Sequence, residues 1–397
     1  MMRNLYFLAL FVISQIGFAQ EHNVYVENII DAVNLDSLIV QMRNLSGEDP
    51  VVVNGEVTTI AHRVSNWGNN LAAQYIYETL DSYGLETEMD TYSLSGTNVI
   101  AKQTGTLYPD EYYMICAHYD AVDFYCADDN ASGTAAVIEA ARIFSDLEFE
   151  YSILYALWDE EEIGLIGSAA YAAEAAANGD IIHGVINLDM ISWDSDGDMV
   201  AEIHTSFDAN SNVLADYIVE VNSIYGLGIT ANIINPGAPY SDHSSFWNND
   251  YAAVLIIEEY YGGDFNPYYH TEQDRIEILH MDYFHEMSKL CVGTLAQKSA
   301  VDVNVGIESP VSGIEEIRVF PNPTSANAQL NINVEEAQNI RVSIENTVGQ
   351  EILVVQDSYL ASGQNQVQLP IESLETGIYL VKMEAKNRII VKKLMVN

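Results

Sequence analysis

The stretch Y-Y-M-I-C-A-H-Y-D-A-V-D-F-Y-C-A-D-D-N-A-S-G, residues 112–133, decides the fold. Residues 112–117 read as an apolar strand and 131–144 as a helix, with His118, Asp120, Asp128 and Asp129 in the joint. Strand, polar joint, helix is the repeating unit of open α/β sheets, which bind ligands outside the carboxyl ends of their strands. The unit recurs in the strand S-I-L-Y-A-L-W (152–158), the helix 167–177 and the strand G-V-I-N-L (184–188). A further strand, A-A-V-L-I-I (252–257), and a helix over 282–297 complete the series. The rhythm predicts an α/β fold, with a mixed, largely parallel sheet between helix layers.

Working outward, residues 21–105 read as helix, helix, strand, and the clearest helix is 69–84, where Gly84 supplies the stop. Residues 1–20 have a cationic start, an apolar run and a small-residue end, so they are expected to be an export signal cut near Gln20. The run is shorter than a bilayer crossing requires, and no stable membrane span is expected. The body, 21–300, is followed by a Gly-, Pro- and Ser-containing linker over 301–316. From 317 to 397 come short alternating strands, I-R-V-F, L-N-I-N-V, I-R-V-S-I, E-I-L-V-V, V-Q-L and I-Y-L-V-K-M, that predict a small antiparallel β-sandwich.

Charge separates the two parts. The chain has 58 acids against 15 bases, and of these 48 acids and 7 bases lie between Glu21 and Ser312. Such a field excludes nucleic acid and anionic membrane as partners and favours solubility in a saline exterior, although a merely solvated surface reads the same way. Three cysteines, Cys116, Cys126 and Cys291, do not make a disulfide scaffold; Cys116 reads as a buried thiol, and a bridge to Cys126 is geometrically open.

The polar joints supply the chemistry. His118, Asp129, Glu162, Asp189 and His270 make two histidines and three carboxylates, the donor set for two zinc ions that share one carboxylate and a bridging water. Asp120 follows His118 closely enough to fix its tautomer. D-D-N-A-S-G (128–133) alone is either a helix cap or a bridging carboxylate. The run D-E-E-E (159–162) crowds four acids at a strand end, which calls for nearby cations. Glu162 and Glu161 can divide ligand and general-base roles, while Asp159 and Glu160 are expected to face solvent or cap the next helix. Two divalent ions, three carboxylates and a hydroxide sum to a neutral cluster, the easiest to hold in a semi-buried cleft. The acidic D-S-D-G-D (194–198) lacks the late glutamate of a calcium loop and reads as a turn.

The linked set H-x-D, D-N-A-S-G, E-E-x-G, N-L-D and H-T-x-x-D resembles the secreted zinc aminopeptidases of metallopeptidase family 28 over about residues 66–291. The resemblance implies a zinc exopeptidase (phosphorylase/hydrolase-like) fold and two Zn2+ ions. It makes His118, Asp129, Glu162, Asp189 and His270 the ligands, with Asp129 bridging, Glu161 the general base and Asp120 the partner of His118. It also places P-Y-S-D-H-S-S-F (239–246) near the substrate, with Tyr240 a donor to the oxyanion and Asp242 or His243 orienting its neighbours. Residues 318–397, with F-P-N-P-T at 320 and K-K-L-M-V-N at the end, resemble the type A sorting domain of type IX secretion. That implies export by the type IX machinery to the surface or medium of a Gram-negative bacterium.

The function expected is a monomeric, secreted di-zinc aminopeptidase that hydrolyses N-terminal residues from peptides and proteins through a metal-bridging hydroxide. The alternatives are a mono-zinc glutaminyl cyclase-like enzyme, a carboxypeptidase or dipeptidase of the same fold, and a non-enzymatic surface binding protein. For the last 80 residues a carbohydrate-binding or adhesive sandwich is the competitor.

Overall fold

Alternating apolar residues of the central strands feed two different cores, and this sets the layers. The computed structural model describes residues 22–64, 66–299, 314–320, 324, 328–334, 337–346, 351–371, 374, 377–385 and 388–396. The expected export signal, and the expected linker apart from its last residues, lie outside these. Helices α1 (Val24–Asp31) and α2 (Leu35–Leu45) precede a hairpin of β1 (Val51–Val53) and β2 (Glu56–Thr58), helix α3 (Asn66–Ser82), and strands β3 (Glu86–Thr91) and β4 (Thr97–Gln103). Then come β5 (Tyr108–His118), α4 (Gly133–Phe144), β6 (Tyr151–Trp158), α5 (Ile166–Asn178) and β7 (Ile181–Leu188). The series ends with β8 (Val200–His204), α6 (Ser211–Tyr225), β9 (Thr230–Ile234), α7 (His243–Trp247), β10 (Ala253–Ile257) and α8 (Met281–Ser299).

Eight strands form one sheet in the order β3-β4-β6-β5-β7-β10-β8-β9. The neighbours β6, β5, β7 and β10 are parallel, and antiparallel pairs bring in β4, β3 and β8. Ile115, Ala117, Ile153, Tyr155, Leu157, Ile186 and Leu188 face the larger core, shared with α1–α4, α6 and α8. Met114, Cys116, Leu154, Ala156, Trp158 and Val185 face the other side, against Ala172 and Ala175 of α5 and Phe246 of α7. Each fully buried Leu or Ile contributes roughly 1.5–3 kcal/mol, so burial on both faces stabilises the middle of the sheet most. The three cysteines are free thiols, all buried.

The amino-terminal reading of helix, helix, strand needs correcting, because three helices, a hairpin and two sheet strands occupy that region. β3, E-T-E-M-D-T, escapes notice because it is an exposed edge strand without a continuous apolar face.

The carboxy-terminal strands are β11 (Ile314–Phe320), β12 (Ala328–Val334), β13 (Gln338–Asn346), β14 (Glu351–Leu360), β15 (Gly363–Leu369), β16 (Gly377–Ala385) and β17 (Arg388–Val396). They pair antiparallel in two sheets, β11-β12-β15 and β14-β13-β16-β17. Leu330, Ile332 and Val367 of one sheet share a core with Val342, Ile344 and Val381 of the other, a β-sandwich.

Candidate metal centre

The strand ends deliver the candidate ligands. His118 is the last residue of β5 and pairs with Trp158, the last of β6, beyond which come Glu161 and Glu162. Asp189 follows Leu188, the last residue of β7, which pairs with Ile256 of β10. Asp129 lies in the wide turn Ala127–Ser132 ahead of α4, and His270 in the loop beyond β10. Asn130 explains the D-N-A-S-G spacing: its Nδ2 donates to Leu188 O (2.8 Å), and its Oδ1 accepts the Gly133 N–H (2.9 Å). A Cβ on Gly133 would stand 2.5 Å from that Oδ1 and 2.7 Å from Leu188 O, so no larger residue fits.

Asp129 stands between the two histidines. Its Oδ1 is 3.3 Å from His118 Nε2, which is also 3.3 Å from Asp189 Oδ1. Its Oδ2 is 3.2 Å from His270 Nε2, which is 3.0 Å from Glu162 Oε2. One carboxylate thus faces two pairs, His118 with Asp189 and His270 with Glu162. Donor atoms of His118, Asp129 and Glu162 all lie within 4.8 Å of one another, as do those of His118, Glu161 and Asp189. Asp129 Oδ2 and Glu162 Oε1 are buried and accept no hydrogen bond among the described residues. Buried acceptors without donors beside imidazole nitrogens are what a cation would satisfy. The donor set therefore fits zinc.

The electrostatics say the same. Burial disfavours charge on His118, yet the carboxylates of Glu161 and Asp189 hold its pKa well above that of ordinary imidazole. Burial also opposes charge on His270, but its contacts with Asp129 and Glu162 raise it to about 10. Glu162 is pushed up to about 7, first by burial and then by the charge of Asp129. Burial raises Glu161 well above the usual carboxylate range, reinforced by Asp242, Asp189 and Glu162 against the opposing His118. Asp129 is held low: burial would raise it, and both histidines pull it down.

Supporting residues extend the site inward. Asp120 lies beside His118 Nδ1, with its carbonyl at 3.2 Å and its Oδ1 at 3.4 Å, and its carboxylate accepts the N–H of Glu161 and of Glu162. Asp274 accepts the N–H of Asp128 and, at 3.0 Å, of Asp129. Asp128, Glu258 and Asn266 complete a buried polar shell behind it, with Asn266 Nδ2 donating to both Asp128 and Asp274. Fully buried Arg63 donates to the carbonyls of Leu45, Tyr119, Tyr125 and Cys126, bracing the loop between His118 and Asp129. Asp274 was visible as the end of H-T-x-x-D; nothing in the sequence around Arg63 marks it.

One expectation changes. Asp159 is buried and accepts from Asn69 Nδ2, Thr97 N and Glu160 N, while Glu160 accepts from Tyr92 and Ser95 hydroxyls. These donors replace water, so neither acid simply faces solvent. Tyr240 is 71% exposed, whereas Asp242 is fully buried and neither of its carboxylate oxygens accepts a hydrogen bond among the described residues. His243 is buried too, its Nε2 2.9 Å from Ala238 O. In the 194–198 turn, Asp194, Asp196 and Asp198 accept N–H groups of their own loop, with Asp264 bound to Ser195 and to Trp193 Nε1.

Residues 98–295 match peptidase family M28, and residues 318–397 match the secretion system C-terminal sorting domain. Leupeptin-inactivating enzyme 1 of Streptomyces exfoliatus is 29% identical over 235 residues, 53% of this chain and 50% of that protein. Aminopeptidase YwaD of Bacillus subtilis is 28% identical over 204 residues, 48% of this chain and 42% of that one. The chain spans about half the length of the curated relatives it matches. The LapA aminopeptidase structure of Legionella pneumophila matches with a TM-score of 0.61 at 20% identity, covering 70% of this chain and 76% of that one. Glutaminyl cyclase of Porphyromonas gingivalis matches with 0.54 at 18%, covering 68% and 99%. At these identities the two structures speak for the fold.

Proposed function

The chain carries a peptidase family M28 domain ahead of a type IX secretion sorting domain, and on that premise we propose a secreted di-zinc aminopeptidase. The observation that carries the reading is Asp129, whose two oxygens face two separate histidine–carboxylate pairs. His118, Asp189 and Asp129 Oδ1 would hold one zinc, and His270, Glu162 and Asp129 Oδ2 the other. Zinc bound there supplies Lewis acidity and draws the pKa of water toward neutrality.

The residues then divide the work. Glu161 would take a proton from the attacking water and hand it to the leaving amine, from a position beside His118 and Asp189. Asp120 would hold both the His118 ring and the backbone of Glu161. Tyr240, exposed at the surface, would donate to the developing oxyanion. Asp242 would act from beneath, through its neighbours.

The placement of the cations supports attack at an amino terminus. Of the seven bases between Glu21 and Ser312, Arg63 is buried against carbonyls, and Arg43, Arg142, Arg275 and Lys289 pair with carboxylates outside the candidate ligand set. Lys102 and Lys298 lie against tyrosine rings. None of them pairs with a candidate ligand among the described residues, so the site favours a substrate ammonium over a terminal carboxylate.

The leader to Gln20, the body to Ala300, the linker 301–316 and the sorting domain from 317 belong to the same proposal. So do a monomeric state and delivery to the surface or exterior of a Gram-negative bacterium by the type IX machinery. No helix among the described residues is long and apolar enough to cross a membrane. A panel of aminoacyl-nitroanilides, with and without chelator, tests the reading. Turnover that chelator abolishes and zinc restores is expected; turnover only of N-blocked peptides would point to carboxypeptidase action, and one zinc per chain with glutamine cyclisation to a cyclase.

A further inference from the structure

The two candidate histidines are held differently. The His118 side chain is 1% exposed, and Asp120 lies against its Nδ1. The His270 side chain is 36% exposed, sits on a residue of positive φ (61°), and its Nδ1 has no hydrogen-bond partner among the described residues. A metal-binding imidazole is almost always oriented through its second nitrogen by a carboxylate, carbonyl or water. Among the described residues no carboxylate or carbonyl holds the second nitrogen of His270 as Asp120 holds that of His118.

The neighbouring side chain lies against the ring instead. The Tyr269 ring stacks on the His270 imidazole with centroids 3.6 Å apart and planes 24° apart. Tyr269 is itself held edge-on by Phe265 at 5.3 Å, and Phe265 by Tyr260 at 5.4 Å. Tyr260 and Phe265 pack on the buried cluster of Met190, Leu255 and Ile257, so the ladder of rings is anchored to the end of β10 and to the residue after Asp189. A side chain in the left-handed region has few ways to aim an imidazole inward, and a flat ring laid on one face removes the rotations that would swing Nε2 away from Asp129 and Glu162.

We propose that Tyr269 is the positioning residue of His270, its stacked ring doing for that ligand what the Asp120 carboxylate does for His118. The inference rests on the proposed reading of His270 as a zinc ligand. Tyr269 touches no reacting atom in this role; it acts through the imidazole. Because the ring is partly exposed, its replacement leaves both cores untouched.

The test is zinc affinity, read by calorimetry on the full-length protein after chelator stripping. Wild type is expected to take up two equivalents, and His270→Ala identifies the one that uses His270 by weakening it. Tyr269→Ala is expected to weaken that same equivalent about 10-fold or more, as loss of other ligand-orienting partners does, while the second stays within about twofold. Tyr269→Phe keeps the ring and is expected to restore wild-type binding. If Tyr269→Ala leaves the His270 equivalent within about twofold of wild type, or Tyr269→Phe fails to restore it, the clamp is overturned. Uptake of one equivalent by wild type overturns the two-zinc reading alone, since the clamp is still read on whichever equivalent His270→Ala weakens. If His270→Ala weakens none, both fall.

Discussion

Asp120 Oδ1 accepts the backbone N–H of Glu161 at 3.1 Å while standing 3.4 Å from His118 Nδ1. One carboxylate therefore sets both a candidate ligand and the backbone that carries the candidate base. Asp120→Asn is expected to lower zinc affinity about 10–100-fold and to lower kcat in the zinc-saturated enzyme as well. A drop in affinity with full kcat at saturating zinc would separate the two and refute the shared role.

Glu161→Gln removes the proton acceptor but keeps the shape. With Glu162 and Asp129 intact, zinc content is expected to match wild type while kcat falls about a hundred- to ten-thousand-fold. Near-normal turnover with both metals bound would assign the base elsewhere.

Removing metal should expose the charge tension of the site. In the folded protein His270 titrates at about 10 against 6.5 for the free group, and Glu162 at about 7 against 4.5. Each binds more protons folded than unfolded between its two values, so each contributes stability at the acid end that is lost as pH rises. Chelated protein should lose stability from about pH 4.5 toward 10 on this account. Zinc affinity should rise over the same range as competing protons leave. The gap in Tm between loaded and chelated protein is therefore expected to widen with pH. A gap that stays constant or narrows contradicts this.

Arg63→Met replaces a buried cation that serves four carbonyls. Hydrogen bonds to charged groups contribute about 1.5–3 kcal/mol each, and the carbonyls left behind cannot all find water. A loss of at least about 3 kcal/mol in urea unfolding is expected. Because the loop joins His118 to Asp129, zinc affinity should fall too, and unchanged stability would show that the loop supports itself.

Much of this was legible in the sequence because the central strands are apolar on both faces and the candidate ligands stand at or just past their ends. That rule brings His118, Asp189 and the pair Glu161 and Glu162 to one edge without the strand order, while the choice of Glu162 as a candidate ligand is what the resemblance implies. What resisted reading was long-range pairing. Arg63 acts on carbonyls of Leu45, Tyr119, Tyr125 and Cys126, and backbone oxygens leave no mark on composition. Asp159 reads as solvent-facing or helix-capping because its partners, Asn69 and Thr97, come from elements distant in sequence. β3 was lost because an exposed edge needs no apolar alternation.

The ladder that pairs His118 with Trp158 and Leu188 with Ile256 also works as a ruler. Ligands seated just past paired residues inherit their separation from the hydrogen-bond register, which the loops can adjust but not reset. Interior strand positions such as Cys116 and Ala156, themselves paired, thereby bear on the spacing of the candidate ligands beyond them. A packing change there would disturb the candidate site as well as cost stability.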